Sequence, residues 1–490
     1  MARQFETVAI PKRLQLATQF TSRDDTFAKS SRIINGYVER DQVSGEFNLY
    51  KRPGLSTIQY SAASVGKGVY YFETFPGIGK LISIVGNTVV SHNLVTLAGT
   101  NIGVTAVGPS AVNNFVIIPS VGGTPAKLVF GDGTTAYWTD GATVTQLLGA
   151  NNFPTGTDSF FRGWSYLDGF LFVFRIFRDV LGTTGLDDPD FWDLLNLIQA
   201  NQEPDFGIAL AKHLNYAVAL KQWTTEFFYD AGNAAGSPLS RLQGAALPYG
   251  CLHAGTVQDF DGMLLFVSTN RTSGPQVSII RKMQHSVISN PSVERILRLA
   301  ATDTWYSQVF RLGGHRFYVV SALNADFTFV YDLDQELWYQ WTSSTGGRWT
   351  PIYSTYLPSA TAGKWRYVVQ DSTGNLYFAG EAYEYTNDAG VVCPFDLYML
   401  EYDAGTRRSK NLGAMLFDAD PVPGILKIRH NDSHYATDKW SNFREVNLAT
   451  IEPQLTDCGS FINRAWHMRY EGNTTLRLKT VDLQLDIGTL

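Results

Sequence analysis

The stretch from Arg316 to Trp341 limits the possible folds more than any other. It holds Arg-Phe-Tyr-Val-Val, then Phe327-Thr-Phe-Val-Tyr, an acidic turn Asp332-Leu-Asp-Gln-Glu336, and finally Leu-Trp-Tyr-Gln-Trp. β-Branched and aromatic runs favour strands, while breaks rich in Asp, Asn and Gly favour turns. The pattern predicts an antiparallel meander of three strands, led by its inner strand, with Trp338–Trp341 on an exposed edge.

Variants of this unit recur. Val69-Tyr-Tyr-Phe, Lys80-Leu-Ile-Ser-Ile-Val and Thr88-Val-Val-Ser form the first, with Gly86-Asn87 as a turn. Phe115-Val-Ile-Ile, Lys127-Leu-Val-Phe and Thr135-Ala-Tyr-Trp form a second, with Asp132-Gly133 and Asp140-Gly141 between them. Further units start near Trp164, Ala209 and Gly255, with Asp168-Gly169 and Asp261-Gly262 as hairpin signals. The Arg316 meander is the sixth, and Trp365-Arg-Tyr-Val-Val with Leu376-Tyr-Phe opens a seventh. The spacing is roughly 45–58 residues, the length of one propeller blade. A single blade cannot bury both faces, so a ring of about seven is expected.

Composition supports this. Aromatics reach 13%, charged residues only 17%, and there are 44 Gly, a mix suited to strands and tight turns. The net charge of −6 argues against a general nucleic-acid coat, which needs clustered Lys and Arg. Cys251, Cys393 and Cys458 are far apart and odd in number, so buried free thiols are expected and no metal pattern exists. Met1–Glu6 has no apolar core of a signal peptide, and no segment is apolar and long enough to cross a bilayer. Synthesis as a soluble chain without a membrane anchor is the expectation.

Outside the repeats, residues 1–60 read as an N-terminal arm and opening hairpin. Arg32–Arg40 pairs with Phe47–Leu55 across Asp41–Gly45, and Pro53-Gly54 forces a sharp exit. Residues 61–395 form the propeller-like domain, with an insertion at 177–204. Two helices are expected in loops: Asp188-Pro-Asp-Phe-Trp-Asp-Leu-Leu-Asn-Leu-Ile-Gln and Asn290-Pro-Ser-Val-Glu-Arg-Ile-Leu-Arg-Leu-Ala. Each has a capping residue followed by Pro at the first helical position. From 396 to 490 the period lapses into alternating segments at Ile425, Phe443, Ala465 and Thr475, read as a small C-terminal β-sandwich. The fold class is all-β.

Little points to catalysis. Gly77-Ile-Gly-Lys80 lacks the spacing and hydroxyl of a phosphate loop. His430 and His434 flank a probable turn, and Cys251-Leu-His253 is equally weak as a ligand pair. Asp332, Asp334 and Glu336 lie in a hairpin turn, where acids are commonplace. No catalytic residue, metal or cofactor is assigned. The candidate interface or arm residues are Tyr37, Lys51, Arg52, Pro53, Trp192, Arg407 and Arg408.

Several collinear pieces carry a resemblance. They are Lys51-Arg-Pro-Gly-Leu55, Pro204-Asp-Phe-Gly-Ile-Ala with Thr225-Glu-Phe-Phe-Tyr-Asp-Ala-Gly232, Ser292-Val-Glu-Arg-Ile-Leu-Arg298, Phe329-Val-Tyr-Asp-Leu333, and Trp466-His-Met-Arg-Tyr with Leu476-Arg-Leu. In this order the chain resembles the tail-hub, or nozzle, proteins of short-tailed bacteriophages, also called packaged-DNA stabilisation or tail accessory proteins. The resemblance implies a homo-hexameric ring below the portal and its adaptor, in the virion tail, assembled in the host bacterial cytoplasm. Such a ring extends the DNA channel, retains packaged double-stranded DNA without sequence-specific binding, and anchors fibres, spikes or a needle. A glycan-hydrolysing or host-surface-binding propeller is the alternative.

Overall fold

The computed structural model describes residues 12–14, 16, 20–22, 30–40, 45–106, 114–154, 161–175, 179–358, 366–380 and 387–488. Trp365, expected to open the seventh unit, lies outside them. Seven small antiparallel meanders follow one another along the chain, the third and fourth linked by a parallel pairing of Gly163 with Leu210. Their first strands are Gly66–Phe75, Asn114–Ile118, Phe161–Leu167, Gly207–His213, Gln258–Phe260, Trp305–Leu312 and Pro351–Leu357. These nearly even steps are the seven blades of an all-β propeller, numbered 1 to 7 in chain order.

The second strand of each blade shows why they pack in a ring. Side chains alternate across a strand, and here both faces are apolar. In blade 3, Leu171 and Val173 enter a core shared with Val129 and Leu147 of blade 2. Their neighbours Phe172 and Phe174 enter a core shared with Leu210 and Ala219 of blade 4. In blade 5, Leu264 and Phe266 face blade 4 while Leu265 and Val267 face blade 6. Among the described residues six pairs of neighbours have a core of this kind, and the core between blades 6 and 7 runs on into the C-terminal sheets. A fully buried Leu or Phe contributes roughly 1.5–3 kcal/mol, so each blade depends on two others.

The last core closes the circle. Val69, Leu81 and Leu97 of blade 1 pack with Leu357, Val368, Leu376 and Phe378 of blade 7. Tyr71 N donates to Thr355 Oγ1 at 2.9 Å, and Gly68 N to Gln370 Oε1 at 2.9 Å. Among the described residues blade 7 has three strands of its own. The segment leading into blade 1 runs along its outer strand: Ser56 N donates to Phe378 O at 3.0 Å and Gln59 N to Leu376 O at 2.9 Å. Gly54 sets up this approach, because a Cβ there would stand 2.1 Å from Asn387 O. The chain's beginning thus completes its last blade.

Local signals behave as expected at many turns. Asp168-Gly169 and Asp261-Gly262 each place both residues at positive φ, the geometry that suits a two-residue hairpin. The helix Pro291–Leu299 forms, with Asn290 Oδ1 accepting from Val293 N at 2.9 Å and Val293, Ile296 and Leu297 buried between blades 5 and 6.

Two expectations are corrected. Asp188–Gln199 is not a helix: Asp188 caps a bend by accepting from Asp190 N, and Trp192–Gln199 is the outer strand of blade 3, paired to Asp179–Thr183. Pairing in the blade overrides a helical spacing that a short apolar run shares with a strand. In the Arg316 meander, the inner strand is Trp305–Leu312, and Trp338–Trp341 is not an exposed edge. Ile34 pairs in parallel with Gln340, so the sheet continues through Ser30–Ile34, Phe395–Tyr398, Ala465–Tyr470, Ile425–Asn431 and Arg444–Asn447.

This continuation faces a second sheet built from Gly36–Arg40, Phe47–Lys51, Arg477–Ile487, Lys410–Ala419 and Gln454–Thr456. Leu412, Phe417, Val481 and Leu483 of the second sheet meet Leu426, Ile428, Trp466 and Met468 of the first, making a β-sandwich. The hairpin Gly36–Arg40 with Phe47–Lys51 forms as the sequence suggests and belongs to this sandwich.

His92 tests the closure. It is buried against Tyr60 at 4.8 Å, with Nε2 bonded to Ser83 Oγ at 2.7 Å and Nδ1 to Leu97 O at 2.9 Å. Burial lowers its pKa to about 4 from an ordinary 6.5. The unfolded chain therefore takes up a proton first as pH falls. This contribution is complete above pH 6.5 and is lost between about 6.5 and 4, to a total of roughly 3 kcal/mol. Denaturant titrations should show that loss in the native protein and a shallower one in His92→Asn; equal slopes over that window would contradict the reading.

Candidate functional site

Three of the residues singled out in the sequence, Lys51, Arg52 and Pro53, lie at one junction. Arg52 follows the hairpin strand and is fully buried where propeller and sandwich join. Its Nη2 and Nη1 reach Asp388 Oδ2 and Oδ1 at 2.5 and 3.0 Å, and Nη2 also donates to Thr342 O at 3.2 Å. Nε donates to Asn35 Oδ1 at 2.9 Å. The guanidinium lies over Trp341 and Trp349, 5.6 and 5.4 Å from their ring centroids. Burial works against the charge, and Asp388 outweighs it, holding the arginine above its ordinary pKa.

Asn35 extends the junction, donating to Thr342 Oγ1 and Pro394 O at 2.9 Å each. Lys51 is buried and donates to Gly472 O at 2.9 Å, with burial lowering its pKa. Pro53 is half-buried beside them. Tyr37 is half-buried as well, stacked on Tyr50 at 5.4 Å and edge-on to His315 and Phe317. Trp192 lies far away in blade 3, buried against Phe153 and Trp164, with Nε1 donating to Pro189 O at 2.8 Å. Lys51, Arg52 and Trp192 thus pack inside the chain.

Arg407 and Arg408 differ: both are exposed. Lys410 is buried beneath them, donating to Thr406 O, Arg408 O and Ile462 O at 2.5, 2.9 and 2.8 Å. A lysine that satisfies the loop carbonyls leaves the two guanidinium groups facing solvent.

The candidate acids are engaged. Asp332 Oδ2 bonds His315 Nδ1 at 2.7 Å, and Asp334 Oδ1 accepts from Arg316 Nη2 at 2.6 Å. His434 Nδ1 bonds Glu401 at 3.0 Å, and His430 Nδ1 bonds Ser441 Oγ at 3.2 Å. Among the described residues no group of His, Cys, Asp and Glu could hold a metal ion. All three cysteines are free and buried, and burial raises the Cys251 thiol to about 12.

An axial cavity of about 660 Å³ is lined by the first strand of every blade, including Tyr70, Trp164, Lys212, Asp259, Tyr306 and Tyr353. Lys212 and Asp259 carry its only charges among the described residues, and burial raises the Asp259 carboxyl. Spread along strands of up to ten residues at about 3.3 Å each, that volume gives a mean cross-section of roughly 20 Å². A duplex whose major groove alone is about 12 Å wide cannot pass along this axis.

The outer strand of blade 3 supplies a surface that sequence reading missed. Leu194 and Leu195 are 57% and 76% exposed, with Leu186 and Phe191 nearby at 65% and 55%. Among the described residues Trp192–Gln199 is the last strand of its sheet, with no strand paired to its outer side. Exposed apolar edges are a liability that proteins normally cover or blunt. Read as a helix, the segment shows no strand edge.

The family model described as Bacteriophage P22 Gp10, beta-propeller, matches residues 53–376. The chain belongs to that family. The match starts next to Arg52 and ends in the outer strand of blade 7, so it covers the ring and its closing segment. Membership makes the chain a structural phage protein of the tail and stabilisation class. No curated protein matches it in sequence. Among solved structures, a chain from the S. cerevisiae complex of Dbp5 with Nup159, Gle1, IP6 and ADP is 10% identical, covering 71% of this chain and 98% of that one at a TM-score of 0.39. The computationally designed Ika8 protein is 12% identical, covering 67% of this chain and 100% of its own at a TM-score of 0.37.

The junction makes a sharp expectation. Arg52→Met should cost roughly 3–5 kcal/mol, because Asp388 is left charged and buried. Pairing it with Asp388→Leu should restore much of that loss. A double-mutant cycle by urea unfolding measures both, and additive losses would show that the pair does not act as a unit.

Proposed function

We propose that this chain is the repeating subunit of a tail hub, or nozzle, in a short-tailed phage. Six copies form a ring below the portal and adaptor. The ring extends the DNA channel, helps retain the packaged genome and anchors fibres, spikes or a needle. It acts in the virion tail after assembly in the host cytoplasm, and its role is mechanical rather than enzymatic.

The family match across all seven blades is the observation that carries this reading. Two features are consistent with it. The axial cavity is too narrow for a duplex, so a DNA conduit has to lie between subunits. A closed ring needs two different complementary faces on each copy, and the apolar edge of blade 3 is suited to be one. With a net charge of −6, the conduit holds DNA by enclosure more than by tight phosphate contact.

Electron microscopy and sedimentation of the purified protein test the proposal. Sixfold rings are expected, alone or on addition of portal and adaptor. Leu194→Asp with Leu195→Asp should leave monomers with an unchanged circular dichroism spectrum and thermal midpoint. A native chain that stays monomeric with its partners and is missing from purified tails would overturn the proposal.

A further inference from the structure

A second concavity, of about 700 Å³, opens on the rim between blades 4 and 5. Pockets of this volume suit small ligands. Its wall is Trp223, half-exposed in the turn between the second and third strands of blade 4. Around it stand Glu203, Tyr249, Asn270 and Arg271, and the buried Glu226 forms the floor.

Beneath the pocket lies a costly arrangement. Lys221, Asp205 and Glu226 are almost completely buried, with Lys221 Nζ 2.9 Å from Asp205 Oδ1 and 2.7 Å from Glu226 Oε1. Arg241 Nε closes the set on Glu226 Oε2 at 2.9 Å. Buried ion clusters of this kind contribute little net stability compared with apolar packing. This one does something that apolar residues could not. Asp205 Oδ2 accepts from Trp223 N at 2.8 Å and from Thr224 N at 3.0 Å, which pins the turn that presents the indole. Glu226 Oε1 accepts from Gln202 N at 3.0 Å and fixes the opposite lip. The three buried charges, with the half-buried Arg241, hold the walls of the pocket in place.

Charge narrows the ligand. Asp205 and Glu226 are balanced by Lys221 and Arg241, and at the mouth Glu203 is balanced by Arg271 at 3.5 Å. Arg271 also covers part of the Trp223 ring, 4.9 Å from its centroid. A neutral pocket gives no preference for phosphate, carboxylate or amine. It offers instead an aromatic wall with amide, hydroxyl and carboxylate groups around it, a combination that suits a rigid polyol with one apolar face. The geometry points to a binding site for an uncharged pyranose ring, as exposed on neutral bacterial surface polysaccharides. The site belongs to the single chain and does not depend on ring assembly.

Saturation-transfer NMR and tryptophan fluorescence with glucose, maltotriose and the N-acetylglucosamine trimer test it, with a trigalacturonate as the charged control. At least one neutral saccharide should bind with a Kd of roughly millimolar or tighter. Trp223→Ala should weaken that binding at least about tenfold, and Trp223→Phe should retain part of it. If the alanine variant fails to fold, fluorotryptophan-labelled protein gives the same answer through the Trp223 resonance, identified with Trp223→Phe. A shift on adding the neutral sugar supports the site. An unmoved resonance, binding unchanged in Trp223→Ala, no binding of any neutral sugar, or equal affinity for the trigalacturonate would overturn it.

Discussion

Burial of the central strands on both faces is the constraint from which this architecture follows. A strand with Leu171 and Val173 on one side and Phe172 and Phe174 on the other needs a neighbour on each face. Seven sheets in a row would leave two such faces in water, at the first sheet and the last. Circular closure removes both, and the core of Val69, Leu81, Val368 and Phe378 is where that happens. The polypeptide from Ser56 to Tyr60 then covers the outer edge of blade 7. Closure is therefore a joint property of residues more than 300 positions apart.

The Arg52 junction couples this ring to the sandwich. Its partners come from Asn35 beside the opening hairpin, Thr342 at the end of blade 6 and Asp388 in the segment after blade 7. One buried guanidinium with planar, fixed donors can tie three backbones at defined angles. The sandwich also shares a continuous sheet with blade 6 through Ile34 and Gln340. Propeller and sandwich are held by hydrogen-bonded sheet and a buried ion pair.

Rigidity of this kind moves function to the periphery. The axial cavity is lined by aromatic side chains among others and is too narrow for a DNA duplex. The outer strand of blade 3, the exposed Arg407–Arg408 loop and the rim between blades 4 and 5 are surfaces of that periphery. All lie on a scaffold whose core they do not disturb, which is where variable contacts are tolerated.

Much of this could be read from residue order. The repeat, the Asp-Gly hairpins at 168 and 261, the Asn290 helix cap and the opening hairpin each depend on contacts a few residues apart, so composition and spacing report them. Trp192–Gln199 could not be read correctly, because its apolar spacing fits a helix or a strand and only the neighbouring strand decides. Arg52 looked like a surface charge for a related reason: its counter-ion, Asp388, is over 300 residues away. The sequence by itself determined that the chain would build repeated two-faced sheets. Which faces met, where the ring closed, and which charges were drawn inside were decided by tertiary structure, because those outcomes depend on partners distant in sequence.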